Sequence, residues 1–269
     1  MALSRSRRKK EIIAPGCTRV QFLVAYDGTT LAGWQSQAEG GTVQDHLEKA
    51  FAAVAGKKIG IQGAGRTDAG VHALAQSAHV DLPLGRLSLA QWRHAVNAHL
   101  PHIIRVTEMI EKSAWFHARF TAQSKAYRYR IFHAPWLDPL EIDRAWHVPK
   151  EVDWARVEEA AKVLQGRHDF RAFCANRGWP ESSTVREVWS IRLKRRGHVV
   201  TLDFAGEGFL YKMVRLLTGT LLRVGQGKAT LDDVQRWLHD PQSDKTTFCA
   251  PACGLYLVKV GYARRAKSV

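Results

Sequence analysis

Long apolar runs are missing from this chain of 269 residues, and none reaches the length that would span a bilayer. Cysteine is scarce. Cys17, Cys174, Cys249 and Cys253 are too few and too scattered for a disulfide scaffold, and no second pair stands near Cys249 and Cys253 to complete a zinc site. The opening residues, MALSRSRRKKEIIAPG, are charged but lack the apolar stretch of a secretory leader. These absences predict reduced thiols, a cytoplasmic setting, and neither a membrane nor a metal as partner. Acid is also in short supply: 25 Asp and Glu face 40 Lys and Arg, a net charge of +15. Much of the excess sits in residues 1–19 and 264–269, yet the body between them stays basic. A cationic body points to a polyanion, and nucleic acid is the commonest.

Familiar cofactor and catalytic signatures are absent too. GAGRTD begins like a dinucleotide fingerprint, but Asp68 stands where the third glycine belongs. GQGKAT has the look of a phosphate loop, except that Leu222 replaces its first glycine. There is no zinc-deaminase signature, no G-x-S-x-G and no H-E-x-x-H. What remains is chemistry without an evident cofactor, with a carboxylate among cations as the working group.

Strand and helix patterns alternate along the chain. RVQFLVAYDG reads as a strand ending in an Asp-Gly turn, and TVQDHLEKAFAAVAG as a helix with Val43, Leu47, Phe51 and Val54 on one face. SAHVDLP is a short strand closing at Pro83. SLAQWRHAVNAHLP carries a Ser88-to-Gln91 capping box and a Leu89, Trp92, Val96, Leu100 stripe. Further on, KAYRYRIFHA alternates as a strand and DWARVEEAAKVLQG reads as a helix. EVWSIRLKRRGHVVTLDFAGEG is a hairpin turning at Arg196-Gly197. FLYKMVRLLTGTLLRVG is then a helix buried along Leu210, Val214, Leu217 and Leu221, before a last helix near 231–239 and the strand GLYLVKVGY. Trp34, Trp92 and Trp237 fall at core-like spacings. Two mixed halves with antiparallel sheet and helices on one side, packed as one body, are expected: an α+β fold.

Seven segments, YDGTTLAGWQ, TVQDHLEKA, GAGRTDAGVHALAQ, FHARFTAQSKAYRYRI, GRHDFRAFC, GFLYKMVRLLTGTLLRVG and APACGLYLVKVGY, occur in the order of the tRNA pseudouridine synthase A family. Across residues 18–263 the chain resembles that family, most specifically in GRTDAGVHA. The resemblance implies two RRM-like halves, 18–112 and 113–263, sharing one extended antiparallel sheet with a catalytic cleft between them. Basic tails at 1–17 and 264–269 flank them, the first expected to be disordered. It further implies isomerisation of uridine to pseudouridine in the tRNA anticodon stem-loop, at nucleotides 38, 39 and 40. No cofactor and a homodimer with cationic clefts for tRNA are implied as well.

Carried over residue by residue, the resemblance makes Asp68 the nucleophile, Arg66 an aid to extruding the base, Arg215 the partner of the catalytic acid and Tyr127 a substrate contact. Such chemistry needs an ionised carboxylate, and a neighbouring guanidinium favours that form. Extrusion is required because a stacked base hides its glycosidic bond. By pattern alone Asp68 and Arg66 equally suit a surface turn. Tyr127 shares a strand face with Tyr129, and either suits a core. Arg215, roughly 140° round a helix from Leu210, looks like any exposed helix arginine. Lys125, Arg128, Arg167 and Arg171 are further candidates for phosphates, none of them assigned. Two rival classes remain: a non-catalytic RNA-binding module, and a nucleoside glycosidase that would release free uracil.

Overall fold

The computed structural model describes residues 13–175, 183–240, 246 and 248–262. Most of both basic tails, with the disorder expected of the first, lies outside the described residues. The elements follow in the order β1 (Cys17–Tyr26), α1 (Val43–Ala55), β2 (Gln62–Gly63), β3 (His72–Pro83), α2 (Leu89–His99), β4 (Ile104–Lys112), β5 (Ser124–Phe132), β6 (Trp146–His147), α3 (Trp154–Val163), β7 (Gly166–Asp169), β8 (Val185–Arg196), β9 (Val199–Gly206), α4 (Met213–Gly225), α5 (Leu231–His239) and β10 (Leu255–Gly261). The expected mixture of strands and helices is present. Among the described residues no helix is long and apolar enough to cross a membrane.

All ten strands join one sheet, ordered β4-β1-β3-β10-β5-β9-β8-β7, with β2 beside β3 and β6 beside β5. Antiparallel pairing dominates, but the centre departs from the expected all-antiparallel sheet. There β10 runs parallel to β3 over two residue pairs, His72 with Tyr256 and Ala73 with Leu257. On its other side β10 pairs antiparallel with β5 from Leu255–Tyr129 to Gly261–Ser124. The last strand therefore sits in the middle of the sheet.

One face of the sheet carries the helices. Val20, Phe22 and Val24 of β1 are fully buried there, and Phe22 meets Phe51 of α1 at 5.2 Å between ring centroids. At the far end Arg195 of β8 lies over the Trp154 ring of α3. Side chains cap four of the helix starts, of which the sequence predicts the Ser88–Gln91 box. Thr42 with Asp45, Ser88 with Gln91 and Thr230 with Asp233 form capping boxes for α1, α2 and α5, and Asp153 caps α3. Trp34 and Trp92 are fully buried and Trp237 packs partly buried against the same core, as expected.

The opposite face is polar and is crossed by the segment between β4 and β5. Arg19 and Asp81 form a bidentate pair there, Arg19 also donates to the Phe116 carbonyl, and the Tyr262 hydroxyl donates to the Ala118 carbonyl and shares a hydrogen bond with the Ser77 hydroxyl. A polar strand face survives burial only with such partners.

Three local expectations change. β4 was not anticipated: only Ile104 and Val106 of its nine residues are buried, so this edge strand shows little alternation. β3 begins at His72 rather than at Ser77, and the polar Gln76 within it turns inward to donate to the Gly65 carbonyl. The helix expected from Phe209 starts only at Met213, because Lys212 takes the left-handed φ of 58°.

A single apolar stripe also understates α4, since all but Arg215 and Arg223 of its thirteen residues are buried. Residue 246 and residues 248–250 cover the side that would otherwise meet solvent. Thr220 and Thr246 share a hydrogen bond, Ala250 N–H donates to the Arg215 carbonyl, and a Cβ at Gly219 would stand 2.1 Å from the Phe248 carbonyl oxygen. Gly219→Ala is accordingly expected to lower stability by about 1–3 kcal/mol, the usual cost of forcing a methyl into a packed interior. Gly208→Ala, with nothing within 4 Å of the added carbon, should change it by less than about 0.5 kcal/mol. Urea unfolding of the two variants side by side checks this, and equal stabilities would show that the 246–250 segment yields freely.

Candidate active site

The turn containing Asp68 is pinned from several directions. Thr67 offers its carbonyl to the Trp34 amide at 3.0 Å and its hydroxyl to Tyr26 at 2.8 Å. Ala64 N–H donates to the Ser77 carbonyl, and Gln76 holds the Gly65 carbonyl at 2.9 Å. Gly33, at φ +90°, passes so close that a Cβ there would meet the Thr67 carbonyl oxygen at 2.7 Å. Burial pushes the Tyr26 hydroxyl far above its ordinary pKa, so it stays protonated and able to donate. The glycine-rich stretch is thus a fixed platform.

On that platform Asp68 meets Arg215, not Arg66. Arg215 Nη1 lies 2.7 Å from Asp68 Oδ2, while its Nε donates to the Ala250 carbonyl at 2.8 Å. The pair is mostly enclosed, with 14% of the arginine side chain and 23% of the aspartate exposed. Arg215 lies in the first turn of α4, which carries no acid of its own and no side-chain cap. A carboxylate from elsewhere in the chain supplies the counter-charge there. The second oxygen, Oδ1, accepts no hydrogen bond among the described residues.

Arg66 is exposed and donates through Nε to Gln35 at 3.3 Å. Its guanidinium is tethered loosely at the rim, one turn residue removed from the ion pair. The reading of Arg66 as a surface partner of Asp68 is set aside by this geometry.

The two tyrosines of β5 separate cleanly. Tyr129 is fully buried and spends its hydroxyl on the Pro251 carbonyl at 2.7 Å. Tyr127 is only 9% exposed, packs edge-to-face on Phe209 at 5.3 Å, and makes no hydrogen bond through its hydroxyl among the described residues. Burial first, and then the negative charge of Asp68, drive its hydroxyl pKa up, which places the phenol in the field of the carboxylate. Asp68, Arg215 and Tyr127 therefore come together, with Arg66 beside them.

Several neighbours escaped sequence reasoning. Tyr26 and Thr67 lie inside quoted segments, but nothing marked them as holding the turn. Ala250 and Phe209 act through backbone and shape, which leave no signature in residue type. The Cys249 thiol, raised by burial and bearing Arg215, Lys212 and Asp68 around it, is another. Among the candidate phosphate contacts, Arg128 is bidentate to Asp203, whereas Lys125 borders the Asp68 turn. Among the described residues no three His, Cys, Asp or Glu side chains gather as a metal would need.

Comparison with known proteins gives a consistent picture. The family model described as tRNA pseudouridine synthase matches residues 23–121 and 160–263, on both sides of the sheet's centre. A tRNA pseudouridine synthase A of Akkermansia muciniphila is 44% identical over 252 residues, covering 91% of this chain and 95% of its own. One from Solidesulfovibrio magneticus is 45% identical over 251 residues, covering 91% of each chain. One from Acetivibrio thermocellus is 38% identical over 243 residues, covering 90% of this chain and 99% of its own.

The geometry makes the coupling of Asp68 to Arg215 measurable. Arg215→Met leaves Asp68 Oδ2 and the Ala250 carbonyl without their donor in a mostly enclosed site, and is expected to cost about 1–3 kcal/mol. Adding Asp68→Asn, which removes the orphaned charge, should recover part of that loss, giving a non-zero coupling in a double-mutant cycle. Denaturant melts of parent, both single variants and the double variant test it. Strict additivity would mean that the two side chains do not interact in solution.

Proposed function

The chain belongs to the tRNA pseudouridine synthase family and isomerises uridine to pseudouridine in tRNA, and from that premise we propose that Asp68 is its nucleophile. The observation that carries this reading is the divided carboxylate: Oδ2 is held by Arg215 at 2.7 Å while Oδ1 accepts no hydrogen bond among the described residues. An oriented, ionised carboxylate with one free oxygen suits attack on an electrophilic carbon of the nucleotide. Arg215, fixed at both ends by Asp68 and Ala250, is the positioning residue.

The overall reaction breaks the bond between ribose C1′ and uracil N1 and forms one between C1′ and C5. N1 gains a proton and C5 loses one, so the RNA keeps its mass and no redox partner is consumed. Between the two events the freed uracil must stay in place and turn. The mostly buried Tyr127 ring, braced by Phe209, walls the site on that side and its hydroxyl stands near the carboxylate. The exposed Arg66, which among the described residues donates only to Gln35, would fill the gap left in the stacked helix when the base swings out, the role the family resemblance gives it.

The target within tRNA is proposed to be the anticodon stem-loop, at nucleotides 38, 39 and 40, and the working form a cytoplasmic homodimer. The basic composition supports the RNA partner. The family resemblance supports the finer choice.

Asp68→Asn is expected to abolish pseudouridine formation while the protein stays folded. Its affinity for tRNA should be equal to or slightly tighter than the parent's, since one negative charge leaves a cationic cleft. Pseudouridine yield, thermal melt and tRNA binding on the same preparation decide it, and near-parent turnover would overturn the assignment. Tyr127→Phe keeps the ring and its Phe209 contact, and should bind tRNA within about twofold of parent. Tyr127→Ala removes the wall and should bind about tenfold or more weakly if the ring stacks on the base. Equal weakening by Phe and Ala in a binding titration would refute stacking.

A further inference from the structure

Strand β5 carries three cations, and two are matched by acids on the polar face of the sheet. Arg128 is bidentate to Asp203, and Arg130 donates to both oxygens of Glu141. Lys125 is different. It lies two residues before Tyr127, on the helix-bearing face of the sheet, and is partly buried. Its cross-strand neighbours are Gly206 on β9 and Val260 on β10, which are uncharged. Its charged neighbours are Arg119, from the segment between β4 and β5, and Arg186 of β8, both of its own sign. Among the described residues it makes neither a hydrogen bond nor an ion pair.

The position of the ammonium is as telling as its company. A Cβ at Gly65 would stand 2.5 Å from Lys125 Nζ. The amine therefore rests against the backbone of the Asp68 turn, three residues before the carboxylate, in space that only a glycine leaves open. A partly buried cation facing two others is costly unless an anion completes the set.

We propose that Lys125 is a phosphate clamp of the catalytic cleft, its ammonium taking a backbone phosphate of the RNA strand that carries the target uridine, with Arg119 and Arg186 supporting. This rests on the reading that RNA enters the cleft at Asp68. Fixing a phosphate beside the turn sets the register of the strand, so that one nucleotide and not its neighbour faces the carboxylate.

A pH signature follows. Burial, and then the charges of Arg119 and Arg186, lower the Lys125 ammonium from its ordinary range to about 8. Below that pH it is charged in the free protein, and above it the amine is neutral and offers a phosphate nothing. Bound phosphate favours the charged form, so RNA binding takes up a proton near pH 8–9 and affinity falls as pH rises through that window.

The test is equilibrium binding of an unmodified tRNA transcript to the full-length protein from pH 7 to 9 at fixed salt, and over a salt series at pH 7. Parent affinity should fall about tenfold over that pH range, following the fraction of charged Lys125. Lys125→Arg should bind like parent at pH 7 and stay level to pH 9, which also controls for titration of the RNA. Lys125→Met should bind about tenfold more weakly at pH 7, with no further fall and a salt slope shallower by about 0.7–1. A parent whose affinity is as level with pH as that of Lys125→Arg would overturn the proposal even if Lys125→Met failed to fold. So would a folded Lys125→Met with the parent's affinity and salt slope. Asp68→Asn measured alongside separates the two ideas: turnover by that variant would sink the site reading, whereas an inert Asp68→Asn with pH-independent parent binding would sink only the clamp.

Discussion

The contact on which the site depends joins residues 147 positions apart in sequence and 2.7 Å apart in space, Asp68 and Arg215. Neither end is free to choose its place. Asp68 follows a turn fastened by Trp34, Tyr26 and Gln76, and Arg215 sits in a helix clasped by the 246–250 segment. An exposed ion pair would hold such parts together weakly, because water competes for both charges. Here most of the water is excluded and the guanidinium has a second acceptor in the Ala250 carbonyl, so geometry and charge reinforce each other. Loosening either anchor would misplace the Asp68 carboxylate before it unfolded anything.

Charge is sorted by face. On the helix-free side several arginines are met by acids, Arg19 by Asp81, Arg128 by Asp203 and Arg144 by Asp27. Around the Asp68 turn the balance differs: among the described residues Arg66 is bonded only to an amide, and Lys125 pairs with no acid. An overall excess of cations says that a polyanion is wanted, but its placement says where.

Much of the architecture was legible because local chemistry determines it. Capping boxes at Thr42, Ser88 and Thr230 announce helices wherever they occur, and alternating apolar residues mark β1, β5 and β9. What resisted were features set by distant partners. β4 is an edge strand with two buried residues, and α4 is buried all round only because a later segment lies over it. The delayed start of α4 turns on one lysine in a left-handed conformation that residue type does not advertise. At the site, Asp68, Arg66, Arg215 and Tyr127 were named through family resemblance. Residue pattern alone left Tyr127 and Tyr129 equal, until the Pro251 carbonyl was seen to occupy one of them.

The central place of β10 also governs the order of events as the chain is made. Until residues 255–261 leave the ribosome, β3 and β5 each present an open edge and the sheet exists as two separate pieces. The acid belongs to one piece and its arginine to the other. A nascent chain of this basic character emerges among ribosomal RNA with Asp68 not yet held against Arg215. Synthesis of β10 is the step that supplies the strand joining the two pieces of the sheet, and with it the frame that brings Asp68 to Arg215.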